Sequence, residues 1–212
     1  MSSKKKMSKT KIASLFFSSL ALILLMLNYF LFASNKNTIS VATLTEREHA
    51  ILTSNTDRWF VYDFNTDKEY KKVTVWIERY ESGNLAEDKI AEYTTQVEGE
   101  GSIIFTTSNT NSSSKQMPFI ITISNNKSVS SIHASDTNTK NLDNKSSVWG
   151  NFPGDNISIA DEVVLGSLCF SNDGKMDSLS AEFYQDVNGN INEIEKYDVV
   201  YLLKANFNKN IK

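Results

Sequence analysis

Asp186, Asn188 and Asn190 sit two residues apart in "DVNGNINEIEKYD", which is the spacing of the first three oxygen donors of a calcium loop. Such a loop also needs Gly at its sixth position and a bidentate Glu at its twelfth. Here those positions hold Ile191 and Tyr197, so the Asn-Gly pair reads as a hairpin turn. The two histidines, His49 and His133, lie far apart, with no Cys near either. They cannot build a three-histidine zinc site, and both read as structural or surface residues. Cys169 stands alone in the apolar run "LGSLCF" and reads as a small core residue. No nucleophile motif, metalloprotease motif or phosphate-binding glycine loop is present. The residues therefore point to no cofactor, no metal and no enzyme.

What remains is binding chemistry. In "YKKVTVWIERY", Trp76, Glu78 and Tyr80 fall on one face of a period-two pattern. An exposed Trp and Tyr on a pleat can stack on a sugar ring or on a partner's apolar edge. The competing reading is that both faces of this strand are covered and Trp76 is core. Trp149 and Phe152, in the polar stretch 136–156, are a second aromatic pair. They either tack that loop onto the domain or form a rim that meets a partner.

The elements behind these residues start with Ile12–Ala33, which carries no charge over 22 positions. As a helix it would extend about 33 Å, enough for a hydrocarbon core of roughly 30 Å. Lys4, Lys5, Lys6, Lys9 and Lys11 precede it, which predicts residues 1–11 in the cytoplasm and the chain from Ser34 outside. The alternative is a cleaved signal peptide, with Ser40-Val41-Ala42 as the best small-x-small site. That would release a secreted factor or enzyme. A membrane-associated immunity or stress protein is a further alternative.

After Ala33 the chain holds 17 basic and 25 acidic residues, a formal charge of −8. This argues against nucleic acid as a partner and against tight adsorption to anionic lipid. A lone cysteine leaves the outer domain to be held by packing alone. The sequons at Asn111, Asn126, Asn144 and Asn156 are chance products in a bacterial chain, the source that the Lys- and Asn-rich, disulfide-free composition suggests. In a eukaryotic one they would be glycosylation sites.

Residues 34–56 read as a juxtamembrane tether, with a short helix over Leu44–Leu52 capped by Thr43 and Glu46. Residues 57–212 read as the β-rich domain. Strands are expected at Arg58–Phe64 and Tyr70–Tyr80, joined as a hairpin through "NTDK". More follow at Ile90–Val97, Ser102–Thr107, Pro118–Ser124, Ser128–Ala134, Glu162–Phe170, Leu179–Gln185 and Tyr197–Phe207. About nine strands with regular turn signals give an all-β antiparallel sandwich or barrel. The expected protein is a single-pass membrane protein, N-terminus in, whose ectodomain binds an envelope protein or wall glycan.

Overall fold

A computed structural model describes residues 18–26, 37–108, 116–139, 142, 144–154, 156–159, 162–174 and 177–210. The chain divides into two units, Met1–Lys36 and Asn37–Lys212. In the first, residues 18–26 are helical and present Leu20, Leu22, Ile23, Leu24, Leu25 and Met26 on the surface. Among the described residues no helix is long and apolar enough to cross a membrane. The remainder of the expected span 12–33 lies outside the described residues.

The second unit is an antiparallel β-sandwich of two six-stranded sheets. The first sheet has the order β10 (Ile157–Ser158), β1 (Thr38–Val41), β2 (Arg58–Asn65), β6 (Glu100–Thr107), β7 (Met117–Asn125) and β8 (Val129–Asp136). The second runs β4 (Asn84–Glu87), β3 (Lys72–Glu81), β12 (Val199–Asn208), β11 (Val163–Ser171) and β9 (Ser146–Asn151), and β5 (Glu92–Gln96) also pairs with β3. Period-two alternation sends Phe60, Tyr62, Phe105, Phe119 and Ile121 inward from the first sheet. They meet Val73, Val75, Ile77, Leu168, Tyr201 and Leu203 from the second. The sheets are fixed where β11 bulges between Val164 and Gly166. There the Tyr62 hydroxyl donates to the Leu165 carbonyl. A Cβ on Gly166 would sit 2.7 Å from the Phe60 ring, so only glycine lets that ring close on the strand.

The nine residues of β11 are all buried, because the second sheet is covered on both faces. The outer cover is a short helix, Ala181–Gln185, followed by a 3₁₀ turn, Ile191–Lys196. Phe183 and Ile194 pack there on Cys169, Val200 and Leu202. Cys169 is thus core, and burial pushes its thiol up to about 12, which removes the reactive thiolate at neutral pH.

Several local expectations are corrected. β2 and β3 do not form a hairpin: each joins a different sheet, and the "NTDK" segment crosses between them. Leu179–Gln185 holds no strand. Ser180 accepts the Phe183 N–H at 3.2 Å and starts a helix, which Leu179 and Phe183 anchor on one face. "DVNGN" turns into the 3₁₀ segment instead of closing a hairpin, and Asp186 Oδ1 holds that turn by accepting the Gly189 N–H at 3.0 Å. The helix after β1 is Glu46–Asn55, capped by Thr45 with Glu48; the overlapping Thr43/Glu46 pattern is not used. Thr38–Val41, within the stretch read as tether, is a strand of the domain, and its Ile39 is 1% exposed.

Candidate functional site

The crossover from β2 to β3 builds one wall of a groove of about 590 Å³. Lys68, Tyr70 and Lys71 come from that crossover, Thr95 to Glu98 from the end of β5, and Asn125, Lys127 and Ser128 from the β7–β8 turn. The volume falls in the roughly 300–1,000 Å³ range of small-molecule sites.

Each wall is held by backbone demand. The Asn125 side-chain oxygen accepts the N–H groups of Lys127 at 2.9 Å and Ser128 at 3.0 Å, which tightens the turn. Its Nδ2 donates to the Gln96 carbonyl at 2.9 Å and ties the turn to β5, so the groove floor bridges the two sheets. The Val97 N–H donates to the Lys71 carbonyl at 3.0 Å, and the Lys71 N–H to the Asn208 carbonyl at 2.8 Å. Gly99, at φ +73°, lets the chain re-enter β6 beside the groove.

The electrostatics are local and basic within an acidic domain. Among the described residues, three lysines and one carboxylate, Glu98, line the groove. Lys127 forms an ion pair with Glu98 at the rim. Its ammonium holds the Glu98 carboxyl below the ordinary range. Lys71 Nζ donates to the Lys68 carbonyl. Beside them Lys209 lies 5.2 Å from the centre of the Tyr70 ring and pairs with Glu69 at 2.7 Å.

None of these groove residues is among the five singled out by sequence. The available clue was three lysines at turns, in "NTDKEYK" and "NNK", in a chain with a net acidic charge. A pattern read strand by strand does not show that two turns distant in sequence share one end of a sandwich.

The five expected residues separate. Trp76, Glu78 and Tyr80 do share the outer face of β3, but that face is covered and all three are buried. Of the two readings of this face, the structure matches the one in which Trp76 is core, and the three form no exposed stacking platform. Glu78 takes the Trp76 indole N–H at 3.0 Å on one oxygen and the Tyr80 hydroxyl at 2.7 Å on the other. Lys204 completes the cluster, 3.0 Å from Glu78 and 2.8 Å from Glu162. A buried carboxylate with all its partners is a structural element. Desolvation and the Glu78 charge push the Tyr80 hydroxyl well above its ordinary value. Phe152 is also buried, edge-on to Tyr184 at 6.3 Å in the outer cover. Trp149 is 49% exposed, yet the Arg58 guanidinium lies 5.1 Å over its ring. Arg58 also donates to Ser147 at 2.6 Å, so this pair closes a corner between the sheets.

One broad surface has no such cover among the described residues. The outer face of the first sheet presents Trp59, Val61, Ile104, Ile120 and Val129 among serines and threonines. Asp63 and Glu100 are its carboxylates, and no lysine or arginine stands on it among the described strand residues. His49, from the helix Glu46–Asn55, meets Trp59 edge-on at 5.4 Å.

No curated protein and no solved structure matches the chain. The sequence profile of the YgaN domain matches residues 38–207, from the first strand of the sandwich to the last. The chain belongs to the YgaN domain family.

Proposed function

We propose that this is a single-pass membrane protein, N-terminus inside, whose extracytoplasmic sandwich binds wall glycan in the groove between Lys71 and Lys127. The observation that carries the reading is the groove itself: a hollow of about 590 Å³ whose lining mixes apolar surface with amide, hydroxyl and ammonium groups and includes Tyr70. Sugar recognition uses that combination of hydrogen-bonding groups and an aromatic ring.

Three observations support the anchor. Residues 12–33 are free of charge and follow five lysines. The helical residues 18–26 expose apolar side chains, as a lipid-facing helix does. Cleavage after Ala42 would also remove β1, which pairs with both β2 and β10 and buries Ile39. A chain starting at Thr43 would lose a strand of its own core, which favours retention over release.

A second reading has a specific observation behind it. The uncovered, nearly uncharged face around Val61, Ile104 and Ile120 suits an envelope protein as partner.

Co-sedimentation of the detergent-solubilised full chain with purified wall glycan tests the main reading. Wild type is expected in the pellet and the double variant Lys71→Ala/Lys127→Ala in the supernatant. Equal pelleting of both, or of neither, overturns it.

A further inference from the structure

We infer that the groove selects an anionic saccharide unit, one carrying a carboxylate or a phosphate, and that Glu98 is its built-in competitor. The inference rests on the glycan reading and adds the charge of the ligand.

The chain beyond Ala33 carries a formal charge of −8, yet Lys68, Lys71 and Lys127 line one hollow in which Glu98 is the carboxylate among the described lining residues, while Glu69 beside it is engaged by Lys209. Neutral sugars need no ammonium groups, whereas an anion gains from several cations lining one site. The protein already supplies one such anion. Glu98 reaches across the rim to Lys127 from a different loop, and both side chains are well exposed, at 64% and 72%. An exposed pair of this kind is weak and exchangeable. A ligand carboxylate or phosphate can take the place of Glu98 on Lys127 while Lys71 and Lys68 meet its other oxygens. Lysine suits this role because its ammonium is a point charge on a flexible stem.

The saccharide part of the ligand has its own partners. Gln96 and Ser128 line the same hollow, and Tyr70 stands beside it. The domain's net acidity limits the site to a short acidic unit, since a long polyanion would meet repulsion beyond the groove. Attraction at an exposed groove is screened by salt, so binding should weaken as ionic strength rises.

Calorimetric titration of the full chain in neutral detergent tests this with four probes: glucuronate, glucose 1-phosphate, glucose and inorganic phosphate. At least one acidic sugar is expected to bind about tenfold more tightly than glucose, the weight of one charge-assisted hydrogen bond. Whether glucuronate or glucose 1-phosphate is preferred tells a carboxylate source from a phosphate source. Glu98→Gln should tighten that binding several-fold, and Lys127→Ala should weaken it about tenfold. Both positions are exposed, so neither variant endangers the fold. Glucose binding as tightly as the acidic sugars, with Glu98→Gln silent, overturns the inference and leaves the glycan reading standing. Inorganic phosphate matching glucose 1-phosphate overturns the saccharide selectivity. No heat with any probe overturns both the inference and the glycan reading.

Discussion

Arg79 of the second sheet meets Asp136 of the first at 3.1 Å, with both side chains buried. The Tyr201 hydroxyl donates to the same Asp136 oxygen at 2.7 Å, and Arg79 also reaches the Asn138 carbonyl at 3.2 Å. This cluster closes the sandwich where β8 ends. Burial and the neighbouring carboxylate push the Tyr201 hydroxyl well above its ordinary value. Removing Asp136 leaves the buried Arg79 with the half-exposed Glu81, at 3.4 Å, as its remaining carboxylate. Asp136→Ala should therefore cost about 3–5 kcal/mol, and Tyr201→Phe about 1 kcal/mol. Urea unfolding measures both. Equal, small losses would mean that the cluster is solvated.

The Glu78 cluster makes a coupled prediction. Lys204→Met alone leaves the carboxylate buried beside Trp76 and Tyr80 without its cation, a loss of several kcal/mol. Adding Glu78→Gln should recover part of that loss, because the buried charge then disappears. A double-mutant cycle in urea reads the coupling, and strict additivity would contradict it.

Gly101 lies where β6 crosses under the Phe64 ring. A Cβ there would sit 2.3 Å from that ring and 2.4 Å from the Ser124 carbonyl oxygen. Backbone cannot yield as a flexible side chain can. Gly101→Ala should thus cost roughly 1–3 kcal/mol by overpacking. By contrast Gly174, with open space around it, is left-handed at φ +74°. There Ala should act through backbone strain alone.

Asp198 gives the pH dependence. It accepts Lys145 at 2.8 Å and the Asn172 N–H at 2.8 Å, and Lys145 is the main cause of its lowered pKa. The folded value lies below the ordinary 3.8. The stabilisation is therefore fully present above 3.8 and is lost as pH falls through the lower folded value. Asp198→Asn should lower the urea midpoint at neutral pH, and the gap to wild type should close in stronger acid. A gap that is constant with pH would rule out the ion pair as its cause.

The fold class was legible because alternation survives wherever one face is core. β3, β7 and β12 all read correctly, and the Asn125-Asn126-Lys127 turn joins β7 to β8 as its residues suggest. Pairing was less legible. "NTDK" looks like a hairpin turn, but a turn sequence does not specify whether the next strand stays in the same sheet. The segment 179–185 was misread because its apolar residues fit period two as well as the helical spacing of Leu179 and Phe183. The groove escaped because it is made of turn residues drawn from three separate connections. The cover over Tyr80 was illegible for a different reason: the helix and 3₁₀ turn that pack with it come about a hundred residues later in the chain.

Hydrogen–deuterium exchange of the full chain with and without wall glycan tests recognition in the groove. Added protection is expected at residues 68–71, 95–98 and 125–128. Protection confined to 58–63, 102–106 and 118–124 would place the partner on the uncovered sheet face and contradict it, as would no change anywhere.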